Sequence, residues 1–277
     1  MIIRLLLIPL LFLSLSGVSQ KMPADYYEEG GNLLNTGHYL EAIPPLKYIV
    51  DNYSKFSQYA AVYYDLGVAY YGNKQYSEAI LVFKNILEKD AIETVDYSGD
   101  IMENPYSNFK NGAAYMISKS YFDTQQYDSA LYYQELSETV HTFRHFCGNA
   151  IAQNEVSDQI YKAKIYLALG KKDYFEKTLL TYTFLTEEYS NEVLILLKNY
   201  YKTEFKGKTL LKEAKKAFGH IEKEEDPKSK ICRYFITFHQ TRILVSGSFD
   251  QFTKLEGKPT TKDLMQSAFY KMLLQVD

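Results

Sequence analysis

In residues 60–93 the size of the side chain, as well as its polarity, is set by position. Tyr63, Leu66, Gly67 and Tyr70 lead into a turn, and Tyr76, Ala79, Ile80, Phe83 and Leu87 follow it. Apolar residues recur at helical spacing on both sides of that turn, which predicts a helical hairpin. Gly67 stands where a side chain would block a neighbouring helix. Ala79 plays the same part on the second helix, and aromatics fill the space around both. Such a hairpin has an apolar face it cannot cover alone, so it must stack on further copies.

Further copies are present. One occupies residues 23–55, with Gly30, Leu33, Gly37, Tyr39, Ala42, Ile43 and Leu46 in the matching order. Another, over 111–144, has Tyr121, Tyr127, Ala130 and Leu131, with Ser118 in place of the tight-packing glycine. The copy over 156–190 keeps Ala163, Tyr166 and Gly170 but places Lys177 where the small residue belongs. At these residues the chain resembles the tetratricopeptide repeat (TPR) family in an exported bacterial form, over roughly residues 23–190. The resemblance implies an all-α fold, a right-handed α-solenoid of about five to six stacked hairpins, with the later ones degenerate. It also implies a protein that binds other proteins and carries no chemistry. The first two copies look like periplasmic subunits that assist outer-membrane protein assembly or envelope organisation. This chain departs from those relatives in having Ser54 at a junction where they carry proline, and no cysteine after the apolar leader.

Residues 1–19 read as a signal peptide: Arg4, an apolar stretch over 5–15, and the small residues Gly17, Val18 and Ser19 before a cleavage point. The apolar run is shorter than the ~20 residues a spanning helix needs. The expectation is a periplasmic or secreted chain that does not span the membrane once cleaved. A formal charge of −3 gives no global field for nucleic acid. Locally the balance shifts: residues 23–110 hold 13 acidic and 6 basic side chains, while residues 195–216 hold seven lysines and two glutamates. Solvated faces, a charged contact surface and head-to-tail self-association are all compatible with that pattern. Cys147 and Cys232 lie far apart in sequence and are read as buried free thiols.

Along the chain, helices are expected over 26–35, 40–53, 59–71 and 76–89. Residues 90–110 form a loop insertion rich in turn formers, either a flexible segment or a partner-contacting one. The second helix of the third hairpin is read as continuing toward Phe146, and the fourth hairpin as 158–169 and 174–189. A fifth is placed at 191–203 and 209–221, followed by a charged linker over 222–227. A regular apolar helix is expected over 231–245, and a capping helix over 261–274 closes the degenerate repeats of residues 191–277.

No glycine-rich phosphate loop, nucleophile elbow or paired-histidine zinc motif occurs, so neither catalytic residues nor a cofactor are expected. His141 and His145, one helical turn apart beside Cys147, are the best metal candidates, read as ordinary surface histidines next to a thiol. Asp96, Asp100 and Glu103 match no calcium loop. The TPR resemblance implies a groove lined by the first helix of each hairpin. Carried onto this chain, it selects Tyr27, Leu34, Tyr64, Tyr71, Tyr115, Lys119, Phe122 and Lys164. These aromatics and cations would hold an extended or helical peptide. The same rings could equally pack between adjacent hairpins. A soluble glycan- or nutrient-capture component on a helical-repeat frame is the alternative to a protein-binding scaffold.

Overall fold

The computed structural model describes residues 21–89, 105–205, 207–247, 255 and 257–276. The signal-peptide segment and most of the 90–110 insertion lie outside them. Four antiparallel helical hairpins come first. They are α1 (Pro23–Asn35) with α2 (Tyr39–Asn52), α3 (Tyr59–Gly72) with α4 (Tyr76–Glu88), α5 (Phe109–Asp123) with α6 (Tyr127–Thr139), and α7 (Gly148–Ala168) with α8 (Lys172–Leu180). The helix α2 runs through Pro44 and Pro45 without a break.

All four hairpins close with the same backbone turn. Gly37, Lys74, Gln125 and Gly170 have φ of +76°, +60°, +61° and +71°, in the left-handed region. In each, the N–H of that residue bonds the carbonyl three positions back, and the next N–H bonds the carbonyl five back, at 2.8–3.0 Å. This double bond satisfies carbonyls that a helix end leaves open. The turn of the fourth hairpin therefore matches the others, although its sequence has drifted and its helices have 21 and 9 residues.

Stacking follows the size pattern. A Cβ on Gly67 would lie 2.7 Å from the Phe83 ring, so the second helix of the hairpin fits only against hydrogen there. Ala42, Ala79 and Ala130 are fully buried. In the third hairpin the fully buried Ser118 replaces the glycine, and its hydroxyl donates to the Ala130 carbonyl at 2.7 Å. The extra atom is thus accommodated by a hydrogen bond.

The second half departs from several expectations. The helix α6 ends at Thr139 and does not reach Phe146. Hydrogen bonds from the start of α5 hold the following segment instead. Asn111 Nδ2 donates to the Ser137 and His141 carbonyls, and the Asn108 side chain bonds both the N–H and the carbonyl of Arg144. The helix α7 starts at Gly148, well before the anticipated boundary. The helix α8 stops at Leu180, where Thr181 and Thr183 turn their hydroxyls back onto the Thr178 and Leu180 carbonyls. Then come α9 (Glu187–Glu204) and α10 (Gly207–Phe218).

The charged linker and the apolar helix expected next are instead a three-stranded antiparallel sheet, ordered β1 (Glu222–Glu225), β2 (Cys232–Phe238), β3 (Thr241–Ser246). Ile231, Tyr234, Phe235 and Phe238 fit a helical period, which is why the segment reads as a helix. In the sheet Tyr234, Ile236 and Phe238 are the buried residues, at the period of two a strand imposes. Phe235 points the other way and is covered by the Arg242 guanidinium, 3.5 Å from its ring centre. A two-residue turn joins the strands, with His239 and Gln240 at φ of +44° and +59°. Two short helices, α11 (Thr261–Met265) and α12 (Ala268–Leu273), replace the single capping helix; the Ser267 hydroxyl caps the second by accepting the Tyr270 N–H.

Candidate functional site

The face formed by the first helices α1, α3, α5 and α7 carries every residue of the expected groove. Tyr27 sits edge-on to Phe56, ring centres 6.2 Å apart, with its hydroxyl beside the Asp65 carboxylate. Leu34 packs half-buried in the cluster shared by α1, α2 and α3. Tyr64 lies between Phe83 and Phe109, and a Cβ on Gly112 would be 2.6 Å from its hydroxyl. That glycine is what lets α5 close on α3.

Tyr71 donates its hydroxyl to Asp123 Oδ2 at 2.7 Å, tying α3 to the end of α5. Lys119 Nζ lies 5.4 Å from the Tyr71 ring centre and 5.6 Å from that of Tyr115, a cation shared by two rings. Tyr115 and Phe122 both pack on Tyr161 of α7, at 5.3 and 5.8 Å. Lys164 pairs with Glu192 of α9 at 2.9 Å. The rings therefore join successive hairpins, while all of these side chains remain partly exposed.

Burial sets the protonation of this face. It pushes the Tyr27 and Tyr64 hydroxyls up to about 12, with Asp65 adding to both, and raises those of Tyr71, Tyr115 and Tyr161. The hydroxyls stay neutral and can donate hydrogen bonds through the physiological range. Burial also raises Asp65 against the hydrogen bond from Tyr27, and brings Asp158 up to about 6. The face thus offers rings, a ring-held lysine and carboxylates of weakened acidity, with the Tyr27 and Tyr71 hydroxyl protons already donated in hydrogen bonds to Asp65 and Asp123.

Sequence reasoning missed Asp65, Asp123, Asp158 and Tyr161. The signal is positional for three of them: Asp65 and Asp123 follow Tyr64 and Phe122 by one, and Tyr161 lies one helical turn before Lys164, whereas Asp158 has no such relation. The helix expected to align the histidine pair ends at Thr139. Without a helix beneath them, His141 and His145 leave a common face. His145 stacks between Phe143 and Phe146, and its Nδ1 accepts the Cys147 N–H at 3.0 Å. Among the described residues no group of three His, Cys, Asp or Glu is placed to hold a metal ion. Cys147 and Cys232 are unpaired and half-buried, less enclosed than expected.

No protein-family model matches the chain, and no curated protein matches it. Among solved structures it is similar to a Podosopora anserina kinesin light chain protein with nearly identical TPR-like repeats. Identity is 15%, the match covers 69% of this chain and 82% of that one, and the TM-score is 0.42.

Proposed function

We propose that this chain is an exported, non-enzymatic scaffold that holds a protein or peptide segment along the face of its first helices, in the periplasm or outside the cell. A role in envelope organisation or outer-membrane protein assembly fits the character of its first two repeats. The supporting observation is the continuous ladder from Tyr27 to Lys164. Its rings are fixed by their neighbours, so a ligand meets preorganised aromatic edges and hydroxyl oxygens with little ordering cost. The apolar leader over residues 5–15 supports export. Among the described residues no helix is long and apolar enough to cross a membrane.

A photo-crosslinking residue placed at Val68 or Lys119 should capture a partner segment in envelope extract. The same probe at Leu81, exposed on a second helix, should not. Equal labelling from both faces would overturn the groove reading, and an amino terminus still beginning at Met1 in the isolated chain would overturn cleavage of the leader.

A further inference from the structure

Charges in the segment around α10 are unevenly satisfied. Its glutamates are all in ion pairs: Glu204 with Lys172, Glu213 with His239, Glu222 and Glu224 with Arg242, Glu225 with Lys223. The lysines of α10 are not. Lys208, Lys212, Lys215 and Lys216 are exposed, and none has an ion pair among the described residues. Lys208, Lys212 and Lys215 stand at i, i+4 and i+7, on one stripe. Leu210, Ala214, Ala217 and Phe218 anchor the opposite face in the core, so the stripe points outward by construction. Thr261 Oγ1 donates to the Phe218 carbonyl at 3.0 Å, which sets α11 there, with Lys262 exposed and Met265 exposed one turn further on.

We propose that this face docks the chain onto a bilayer surface of anionic lipids. Lysines are point charges on flexible stems and lack the arginine fork that reads single carboxylates or phosphates. They suit a diffuse negative plane, over which their stems lie flat with the ammonium groups in the headgroup layer. The stripe itself is an outward, convex helix face, and the cleft beside it, between α10 and the sheet, carries Glu213 and Glu222 along with Lys216, carboxylates that would repel an acidic peptide. The stripe residues include no aromatic ring on which nucleic-acid bases could stack.

The test is flotation of the full chain with neutral phosphatidylcholine vesicles and with vesicles in which about one lipid in three is phosphatidylglycerol. The readout is the ratio of the two affinities, in which the apolar leader contributes to both terms. The native chain should favour the anionic vesicles at low salt and lose that preference near ~0.5 M salt. Joint Lys208→Gln, Lys212→Gln and Lys215→Gln substitution should lower the ratio by on the order of a hundredfold, about fivefold per lysine. The corresponding triple change to arginine should keep it. A native chain without preference for anionic vesicles, or a glutamine variant that retains it, would overturn the proposal. So would tighter binding to double-stranded DNA or polyglutamate than to the anionic vesicles at equal charge.

Discussion

The two halves of this chain bury their apolar residues in different ways. Between α1 and α6 the core is divided into small clusters, one around Leu46 and Leu66 and another around Phe83 and Ile117, each shared by neighbouring hairpins. From Val156 to Val276 a single cluster gathers α7 to α12 and the sheet. The seam between the halves mixes the rings of Tyr115, Phe122 and Tyr161 with buried polar groups. Gln134 and Ser137 of α6 are fully buried, Lys162 pairs with Glu138 at 2.7 Å, and Asn154 donates to Asp158 at 2.7 Å. A divided core keeps damage local, because each unit leans only on its neighbours. A pooled core makes unfolding all-or-none.

The largest test is Phe218→Ala, which removes a fully buried ring packed against Phe184 and Tyr270. It should cost about 3–5 kcal/mol. Hydrogen exchange should show α8–α12 and the sheet losing protection together while α1–α4 keep theirs; loss in α1–α4 as well would break the contrast. Gly67→Ala probes the divided half. The new methyl group meets the Phe83 ring, at a cost of about 1–3 kcal/mol, and protection should fall only in α2–α5.

Asp158→Asn tests the seam. Burial first, and then the charge of Glu138, raises this carboxyl from an ordinary 3.8 to about 6 against the hydrogen bonds it accepts. Between those values the folded chain holds a proton that the unfolded chain has released, so stability falls as pH rises through that window. The asparagine variant should be more stable than the native chain by about 3 kcal/mol at pH 7 and equal to it below about pH 4, read from urea midpoints.

His239 titrates in the pooled half. Its two ring nitrogens face Glu176 at 2.5 Å and Glu213 at 2.9 Å, and Tyr201 donates to the same Glu176 oxygen at 2.6 Å. Burial alone lowers this imidazole, but hydrogen bonds and charge from the two glutamates outweigh it and raise it above 6.5. The stability it contributes is complete below pH 6.5 and is lost as pH climbs through the folded value. His239→Asn should remove that dependence, at a cost of about 1.5 kcal/mol below pH 6.5. The smallest expected effect is Lys74→Gly. Relieving a left-handed residue that bears a Cβ should gain up to about 1 kcal/mol, and a thermal melt would show it as a slightly raised midpoint.

The array was legible because its signals are local. Gly67 and Ala79 mark close approach, and Gly37 and Gly170 mark turns whose geometry Lys74 and Gln125 repeat. The pooled half was not, because its register is decided by partners far away in sequence. Residues 231–245 satisfy a helical template, and only the cover that Arg242 gives Phe235 makes the strand reading consistent. The end of α6 is set by Asn108 and Asn111, some thirty residues upstream. On the candidate face, rings were visible from repeat position, but the carboxylates that hold their hydroxyls were not, since a lone aspartate on a helix looks like ordinary surface.

The strand β1 consists of Glu222, Lys223, Glu224 and Glu225, all exposed, and it borders the sheet. Its outer row of amides and carbonyls is a template on which another chain could add a strand. Four adjacent charges make that addition unfavourable, because an incoming strand would have to desolvate them. The acidic edge therefore disfavours growth of the sheet on its β1 side. Replacing it with valine and threonine would turn this module into a seed for fibrous growth while leaving its own core unchanged.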